Sequence, residues 1–415
     1  MRKTAILELH AVNFDVNNGV EELGPKSCFS KAIKQYIGGA LESRSSDFGP
    51  LEYEFGCECM GKAVLYQEPG GLSYEVDLPL SSFVDVNEIM KELGLPSYID
   101  LDYFPMRCAI VTIWACQKAP ELRRLYPNVY EKEVDKKSIP ALLFGGAAMK
   151  VCCEHSNGKG ALSRSIKDVD FIVPKNQGSN FSRLLLGMSK AFGTEFTYFK
   201  TKGDSLFIAM RQGQRYRVRT INGVTSEGLP TVTVLDIFCD SIDLRHKIEV
   251  KDSFEHAREN LFTIGLEYLI LSKSQFIMDA SKTDVAALLE KHGQEFRILP
   301  CPWYASSRVV LGMEEKDIKD VCSIFVDHAV GEEEGEISQN KMRRILGKDK
   351  KLALTVTLNL QNMAARTELL GKWLNAAESA KVVDRINSLL AALPKVDKKW
   401  DKPWWNTAVE TPLIG

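Results

Sequence analysis

The sequence contains no apolar run of the roughly 20 residues that a bilayer-crossing helix needs. Its opening stretch, MRKTAILELHAVNFDVNNG, is interrupted by Glu8 and His10 and reads as too short and too polar for a signal peptide or a membrane span. A cytoplasmic location is therefore the expectation, with no membrane partner. Net charge is nearly absent: 53 basic side chains stand against 55 acidic ones, a formal −2. The molecule as a whole does not announce a nucleic-acid binder, and any basic surface must be local. Cysteines at metal-site spacing are lacking too. The ten cysteines are scattered along 415 residues, mostly among apolar neighbours, and read as reduced core thiols. Cys57-Glu58-Cys59 has no second cysteine pair and no histidine at zinc spacing, so a structural zinc site is not expected.

What is present is ordinary globular material, with 45% hydrophobic and 26% charged residues. The length exceeds one comfortable core and predicts two or three compact units. Residues 1 to 130 predict an N-terminal α+β unit, with an alternating stretch at 72 to 80 and helices around 86 to 93 and 108 to 125. No chemical motif stands out there. The polar stretch NVYEKEVDKKS at 128 to 138 reads as a boundary. A core then follows over 139 to 252: an apolar run, Gly145-Gly146, a helix over 147 to 154, a polar loop, and a strand over 168 to 173 stopped by Pro174. A helix at 181 to 192 and strands at 205 to 211, 215 to 221 and 231 to 239 complete it, with turn signals at Gln212-Gly213-Gln214 and Asn222-Gly223. The fold class is α+β, a mixed sheet with flanking helices. Residues 253 to 415 predict a helical C-terminal region, with helical spacing at 254 to 278, 283 to 291, 316 to 329 and 339 to 393, and GEEEGE at 331 to 336 as a solvated linker.

Chemistry enters with KDVDFIV. Asp168 and Asp170 are two apart on a strand, so both side chains leave the same face while Val169 and Phe171 leave the other. Like charges about 4 Å apart repel by roughly 4 kcal/mol at an effective dielectric near 20, which calls for a compensating cation. Oxygen-only ligands favour magnesium (Mg2+) or manganese (Mn2+) over zinc. A third carboxylate, Asp236, interrupts the apolar strand TVTVLDIFCD and shares its face with Val232, Val234 and Phe238. A buried acid in such a run needs a partner. If its strand lies beside the first, three carboxylates converge in a way that suits in-line phosphoryl transfer. Gly145 and Gly146 precede a helix, where bare backbone can approach a triphosphate and the helix N-terminus supplies N–H groups. Lys273 is the best-placed cation for the outer phosphates, with Arg164 and Lys167 as further candidates.

LFGGAAMK, RSIKDVDFIV, the isolated acid of VLDIF, LEYLILSK and KTDVAAL together resemble the nucleotidyltransferase superfamily, closest to the AbiEii-type toxin-like nucleotidyltransferases. The resemblance covers roughly residues 139 to 295. It implies metal-dependent transfer of a nucleoside monophosphate from a nucleoside triphosphate to a hydroxyl acceptor on RNA (a tRNA end included), a protein or a small molecule. It also implies an antitoxin-like partner. By position, Gly145 and Gly146 match the phosphate-side glycines, Asp168 and Asp170 the metal ligands, and Asp236 the third acid that helps activate the acceptor hydroxyl. Lys273 matches a phosphate-contacting helix lysine, and Asp284 the acid of a downstream motif. The insertion HSNGKGA makes the spacing from Gly146 to Asp168 longer than the family's.

Each feature has a plainer alternative. The glycine pair could be only a tight turn, Asp236 could cap a strand or pair with Arg245, and Lys273 could be a solvated helix-edge lysine. KMRRILGKDKK at 341 to 351 could meet RNA phosphates or be an exposed helix face; Trp400, Trp404 and Trp405 could stack on bases or dock a terminal segment. At the level of function, the alternative is a nucleotide-binding pseudoenzyme that serves as a binding or scaffold protein.

Overall fold

The computed structural model describes residues 3–5, 52–57, 61–68, 71–77, 85–125, 138–191, 198–211, 214–224, 230–256, 262–279, 296–300 and 308–407. In chain order these begin with strands β1 (Lys3–Ala5), β2 (Glu52–Cys57), β3 (Gly61–Glu68) and β4 (Gly71–Asp77), then helices α1 (Val86–Glu92), α2 (Phe104–Gln117) and α3 (Ala119–Leu125). The central stretch runs β5 (Leu142–Phe144), α4 (Gly145–Cys152), β6 (Asp168–Val173), α5 (Gly178–Ala191), β7 (Tyr198–Phe199), α6 (Lys202–Met210), β8 (Arg215–Val224) and β9 (Pro230–Cys239). There follow β10 (Ser241–Asp243), β11 (Lys247–Glu249), α7 (Ser253–His256), α8 (Leu266–Lys273), β12 (Ile277–Asp279), β13 (Phe296–Pro300) and β14 (Arg308–Gly312). The last elements are α9 (Glu315–Asp327), β15 (Val330–Gly331), β16 (Ile337–Ser338), α10 (Gln339–Lys348), α11 (Lys350–Ala364), α12 (Thr367–Leu370) and α13 (Ala376–Ala392). None of the described helices is long and apolar enough to cross a membrane. The expected boundary at 128 to 138 lies outside the described residues except Ser138, as does the helix expected at 283 to 291.

The chain divides into two compact units that interleave along the sequence: residues 1–95, 101–142 and 166–240 form the first, and 96–100, 143–165 and 241–415 the second. The fold is α+β, with a mixed sheet in the order β5-β6-β9-β8-β7. In the first unit β6 runs parallel to β9, and β8 runs antiparallel to both β9 and β7. A separate antiparallel sheet has the order β1-β4-β3-β2.

Alternation along β6, β8 and β9 gives the mixed sheet two unlike faces. Val169, Phe171, Val173, Val218, Leu235 and Ile237 are buried on one, and α2 and α5 pack against that side. Phe171 meets Phe181 of α5 with ring centroids 5.1 Å apart. Buried Tyr198 shares hydrogen bonds with Cys108 and Thr112 of α2. Gly178 opens α5 where any side chain would collide, since a Cβ there would sit 2.4 Å from the Tyr216 ring. Residues 168, 170, 215, 217, 219, 234 and 236 leave the other face.

The expected strand at 205 to 211 is instead the helix α6. Thr201 accepts from the Asp204 N–H while the Asp204 carboxylate accepts from the Thr201 N–H, a reciprocal cap that fixes the helix start. The Thr-x-x-Asp spacing outweighs the strand propensity of a short apolar run.

The second unit is chiefly helical. α9 packs against α4, α8 and α13, and α11 against α10 and α13. The apolar stretch at 254 to 278, expected to be helical, divides into α7, α8 and the strand β12, which pairs with β14. The acidic run at 331 to 336 does join two helical parts, but as a fastened turn. Its flanks pair as β15 and β16, and Glu332 accepts from Ser338 Oγ and from the Asn340 N–H in the first turn of α10. Carboxylates at a helix N-terminus complement its unpaired N–H groups.

The terminal tryptophans dock. Trp404 and Trp405 pack with Ile277, Val309, Leu354 and Leu358, and Trp404 Nε1–H donates to Thr355 Oγ1 at 2.9 Å. That hydroxyl also shares a 2.9 Å hydrogen bond with His246 Nε2. Burial pulls the His246 imidazole from its ordinary 6.5 down to about 4, so folding favours the neutral ring. The resulting stabilisation is complete above pH 6.5 and is lost progressively as pH falls toward 4. Chemical denaturation of the full chain should show about 2 kcal/mol of that loss by pH 5, and His246→Gln should flatten this part of the profile. An unchanged slope in the variant would assign the titration elsewhere.

Candidate active site

The carboxylates Asp168, Asp170 and Asp236 lie within the first unit, on adjacent parallel strands. Asp170 is directly opposite Asp236 in the β6–β9 register, and Asp168 is opposite Val234. All three therefore leave one face of the sheet, as the sequence spacing requires. Asp168 is exposed, Asp170 half-buried and Asp236 buried.

Asp236 has partners that were not anticipated. Across β8–β9 its register partner is Arg217, whose Nε and one terminal nitrogen donate to the two carboxylate oxygens at 2.8 and 2.9 Å. Arg215 donates to one of the same oxygens at 2.7 Å. Burial pushes the Asp236 carboxyl up, but the hydrogen bonds and charges of Arg217 and Arg215 outweigh it and hold the group below the ordinary carboxylate range. Asp236 is thus a fixed anion and a poor proton acceptor near neutrality. Arg245, the partner considered from the sequence, belongs to the second unit and donates instead to the Asn406 carbonyl.

The arginines come from RYRVR, whose alternation puts Arg215, Arg217 and Arg219 on the same face as the acids. Arg219 makes a two-pronged pair with Asp204 of α6, at 2.8 and 2.9 Å. The Phe207 ring of that helix lies under Arg217 at 4.5 Å, Arg215 at 5.3 Å and Arg211 at 5.6 Å. This period-two pattern of arginines was the available signal for the cluster. Among the described residues, no three or more His, Cys, Asp or Glu side chains are gathered closely enough to enclose a metal ion.

The remaining candidates are placed as follows. Lys167, in the first unit, is exposed immediately before Asp168. Gly145, Gly146, Arg164 and Lys273 belong to the second unit. Gly145 has φ +66°, in the left-handed region that glycine reaches without strain, as α4 begins. Lys273 is held by Asp320 at 2.9 Å and Asp317 at 3.1 Å. Burial alone would discharge it, but the two acids, Asp320 foremost, keep it protonated. Arg164 donates to both oxygens of the same Asp320, at 2.9 and 2.7 Å. Asp284 lies outside the described residues. In the basic stretch at 341 to 351, Lys341 pairs with Glu267, Arg344 with Asp252, and Arg343 donates to the Ala392 carbonyl. Lys348, Lys350 and Lys351 are exposed.

Comparison with known protein families, with curated proteins and with solved structures gives no match.

Proposed function

We propose that the chain is a metal-dependent nucleotidyltransferase that moves a nucleoside monophosphate from a nucleoside triphosphate to a hydroxyl acceptor on RNA, a protein or a small molecule. The observation that carries this reading is the side-by-side placement of Asp170 and Asp236 on parallel strands, with Asp168 on the same face. Three acids concentrated on one sheet face are costly unless cations share it.

The donor set fits a hard divalent ion in part. Asp168 and Asp170 offer carboxylate oxygens at an accessible strand start and would hold magnesium or manganese. Asp236 is already neutralised by two guanidiniums, so its share in such a site depends on their releasing an oxygen. A bound divalent ion supplies charge neutralisation on the phosphates and alignment of the displacement. In the reaction, the acceptor oxygen forms a bond to the α-phosphorus, the bond to the bridging oxygen of pyrophosphate breaks and pyrophosphate leaves, and the acceptor proton passes to solvent water. The depressed Asp236 carboxyl does not suit it to take that proton. Its fixed charge instead orients Arg215 and Arg217. A cytoplasmic setting accords with Cys108, Cys116, Cys152, Cys153, Cys239 and Cys322 being reduced thiols and not disulfides.

The test is incubation with each labelled triphosphate, magnesium, and total RNA or cell extract, followed by mass determination of whatever gains label. Attachment of a nucleoside monophosphate mass supports the proposal; no transfer from any of the four triphosphates counts against it. A nucleotide-binding pseudoenzyme is the second reading, favoured by the occupation of Asp236 by arginines and of Lys273 by Asp317 and Asp320. Binding of triphosphate without transfer to any acceptor would select it.

A further inference from the structure

Positive charge is concentrated in one part of the chain. Residues 339–407, which hold α10 to α13 and the segment after them, carry 14 basic side chains against 6 acidic ones, while the whole chain stands at −2. The excess lies at the two ends of this stretch: residues 339–351 and 394–407 together hold ten basic side chains and three acidic ones. Acids from elsewhere in the second unit offset part of it. Glu267 takes Lys341, Asp252 takes Arg344, and Glu332 accepts from the first turn of α10. Counting all three still leaves four cations over. The neighbouring β10–β11 pair changes nothing, since Asp243 and Glu249 balance Arg245 and Lys247. Lys348, Lys350 and Lys351 are exposed and make no ion pair among the described residues, and the same holds for Lys395, Lys398, Lys399 and Lys402.

The two ends meet on α11. Lys351, Leu354, Thr355 and Leu358 follow one another at i, i+3, i+4 and i+7 and so share a face of that helix. Trp404 packs on this face and donates to Thr355 Oγ1, and Trp400 lies against Trp404 with ring centroids 5.6 Å apart. Trp404 and Trp405 are buried, but Trp400 is only half-buried, and Lys398, Lys399 and Lys402 flank it in the chain. Unpaired lysines beside a partly open indole combine the two interactions that hold a single-stranded polynucleotide, neutralisation of its phosphates and stacking on its bases. A membrane surface is a poorer match. The apolar side chains of α10, Met342 and Leu346, are buried, and among the described residues the large exposed hydrophobic is Met210 of the first unit.

We propose that the α10–α11 junction and residues 395–402 form a docking surface for single-stranded RNA. This goes beyond the transferase reading and rests on it only for the choice of RNA over DNA.

The probe is a fluorescein-labelled oligouridylate, read by anisotropy against the full chain with chelator present and no triphosphate. Log affinity should fall with log salt by about 0.7 for each phosphate neutralised, so that six engaged lysines give a slope of about −4. Lys348→Gln, Lys350→Gln and Lys351→Gln combined should cost roughly tenfold or more in affinity at about 0.1 M salt and flatten the slope by about 2. Lys398→Gln, Lys399→Gln and Lys402→Gln combined should do the same. All six positions are exposed, so the thermal midpoint should hold. Lys91→Gln, Lys159→Gln and Lys175→Gln combined, at exposed lysines outside this surface, should leave binding unchanged.

No binding at low salt, or an equal loss in this control triple, overturns the surface. Tighter binding of oligothymidylate than of oligouridylate overturns the assignment to RNA, and so does capture of phosphatidylserine vesicles in place of the oligonucleotide. Because neither metal nor triphosphate is present, absence of nucleotidyl transfer with RNA binding intact sinks the catalytic reading and leaves the surface standing, so the two failures are distinguishable.

Discussion

Replacing Asp168 and Asp170 together by Asn should, on the proposed function, lower nucleotidyl transfer on the order of a thousandfold or more while the chain stays folded. The magnitude follows from the several kcal/mol that metal-assisted charge stabilisation contributes to phosphoryl transfer, at a factor of ten per 1.36 kcal/mol. Asp168 is exposed and Asp170 half-buried at the start of β6. At exposed Asp168 a polar exchange of this kind usually alters stability by less than about 0.5 kcal/mol, and at half-buried Asp170 the isosteric Asn keeps the side-chain volume. The readouts are the transfer rate and the thermal midpoint. A large loss of rate with an unchanged midpoint assigns the acids to the chemistry, whereas a retained rate removes them from it. Asp236→Asn belongs to a different category: it breaks a buried, doubly paired ion, so both readouts should move, and it cannot serve as the clean test.

The second large effect concerns Asp320. This carboxylate is almost fully buried and receives both Lys273 and Arg164. Asp320→Ala removes the acid that Lys273 and Arg164 share, and removing one partner from such a buried group typically costs about 3–5 kcal/mol. For a unit of this size that corresponds to a fall of roughly 10 °C in thermal midpoint. Lys273→Met asks the complementary question. If the lysine serves chiefly the buried ion group, stability falls and triphosphate affinity is preserved. If it serves phosphate, the affinity falls with it. Calorimetric titration with a magnesium triphosphate beside thermal melting separates the outcomes, and the geometry predicts the first.

Much of this arrangement was legible in the sequence, and where it was not the reason is local. The strand at 168 to 173 has the expected bounds because alternating acids and apolar residues end at a proline. The pairing of Asp170 with Asp236 followed from placing an isolated acid in an apolar strand and asking what could stand beside it. The helix at Lys202–Met210 departs from the expected strand because a short apolar run fits either periodicity, and the Thr201–Asp204 cap decides between them. The partners of Asp236 are not legible in RYRVR alone, because the segment does not say which strand it will lie beside. Only the antiparallel register of β8 on β9 turns the middle one toward the buried acid. Lys273 likewise looked available from its own helix. Its partners lie on α9, far along the chain, and nothing in LEYLILSK hints at them.

The parallel pairing of β6 with β9 also bears on synthesis. Antiparallel neighbours can zip from a turn, but a parallel pair has to wait for everything between its strands, here α5, β7, α6 and β8. A nascent chain that has emerged only as far as β8 carries two of the acids and all of the arginines, yet has no third acid to complete the group. Cotranslational folding therefore keeps the face incomplete until β9 is inserted, and any activity it supports should switch on late and all at once rather than grow with chain length.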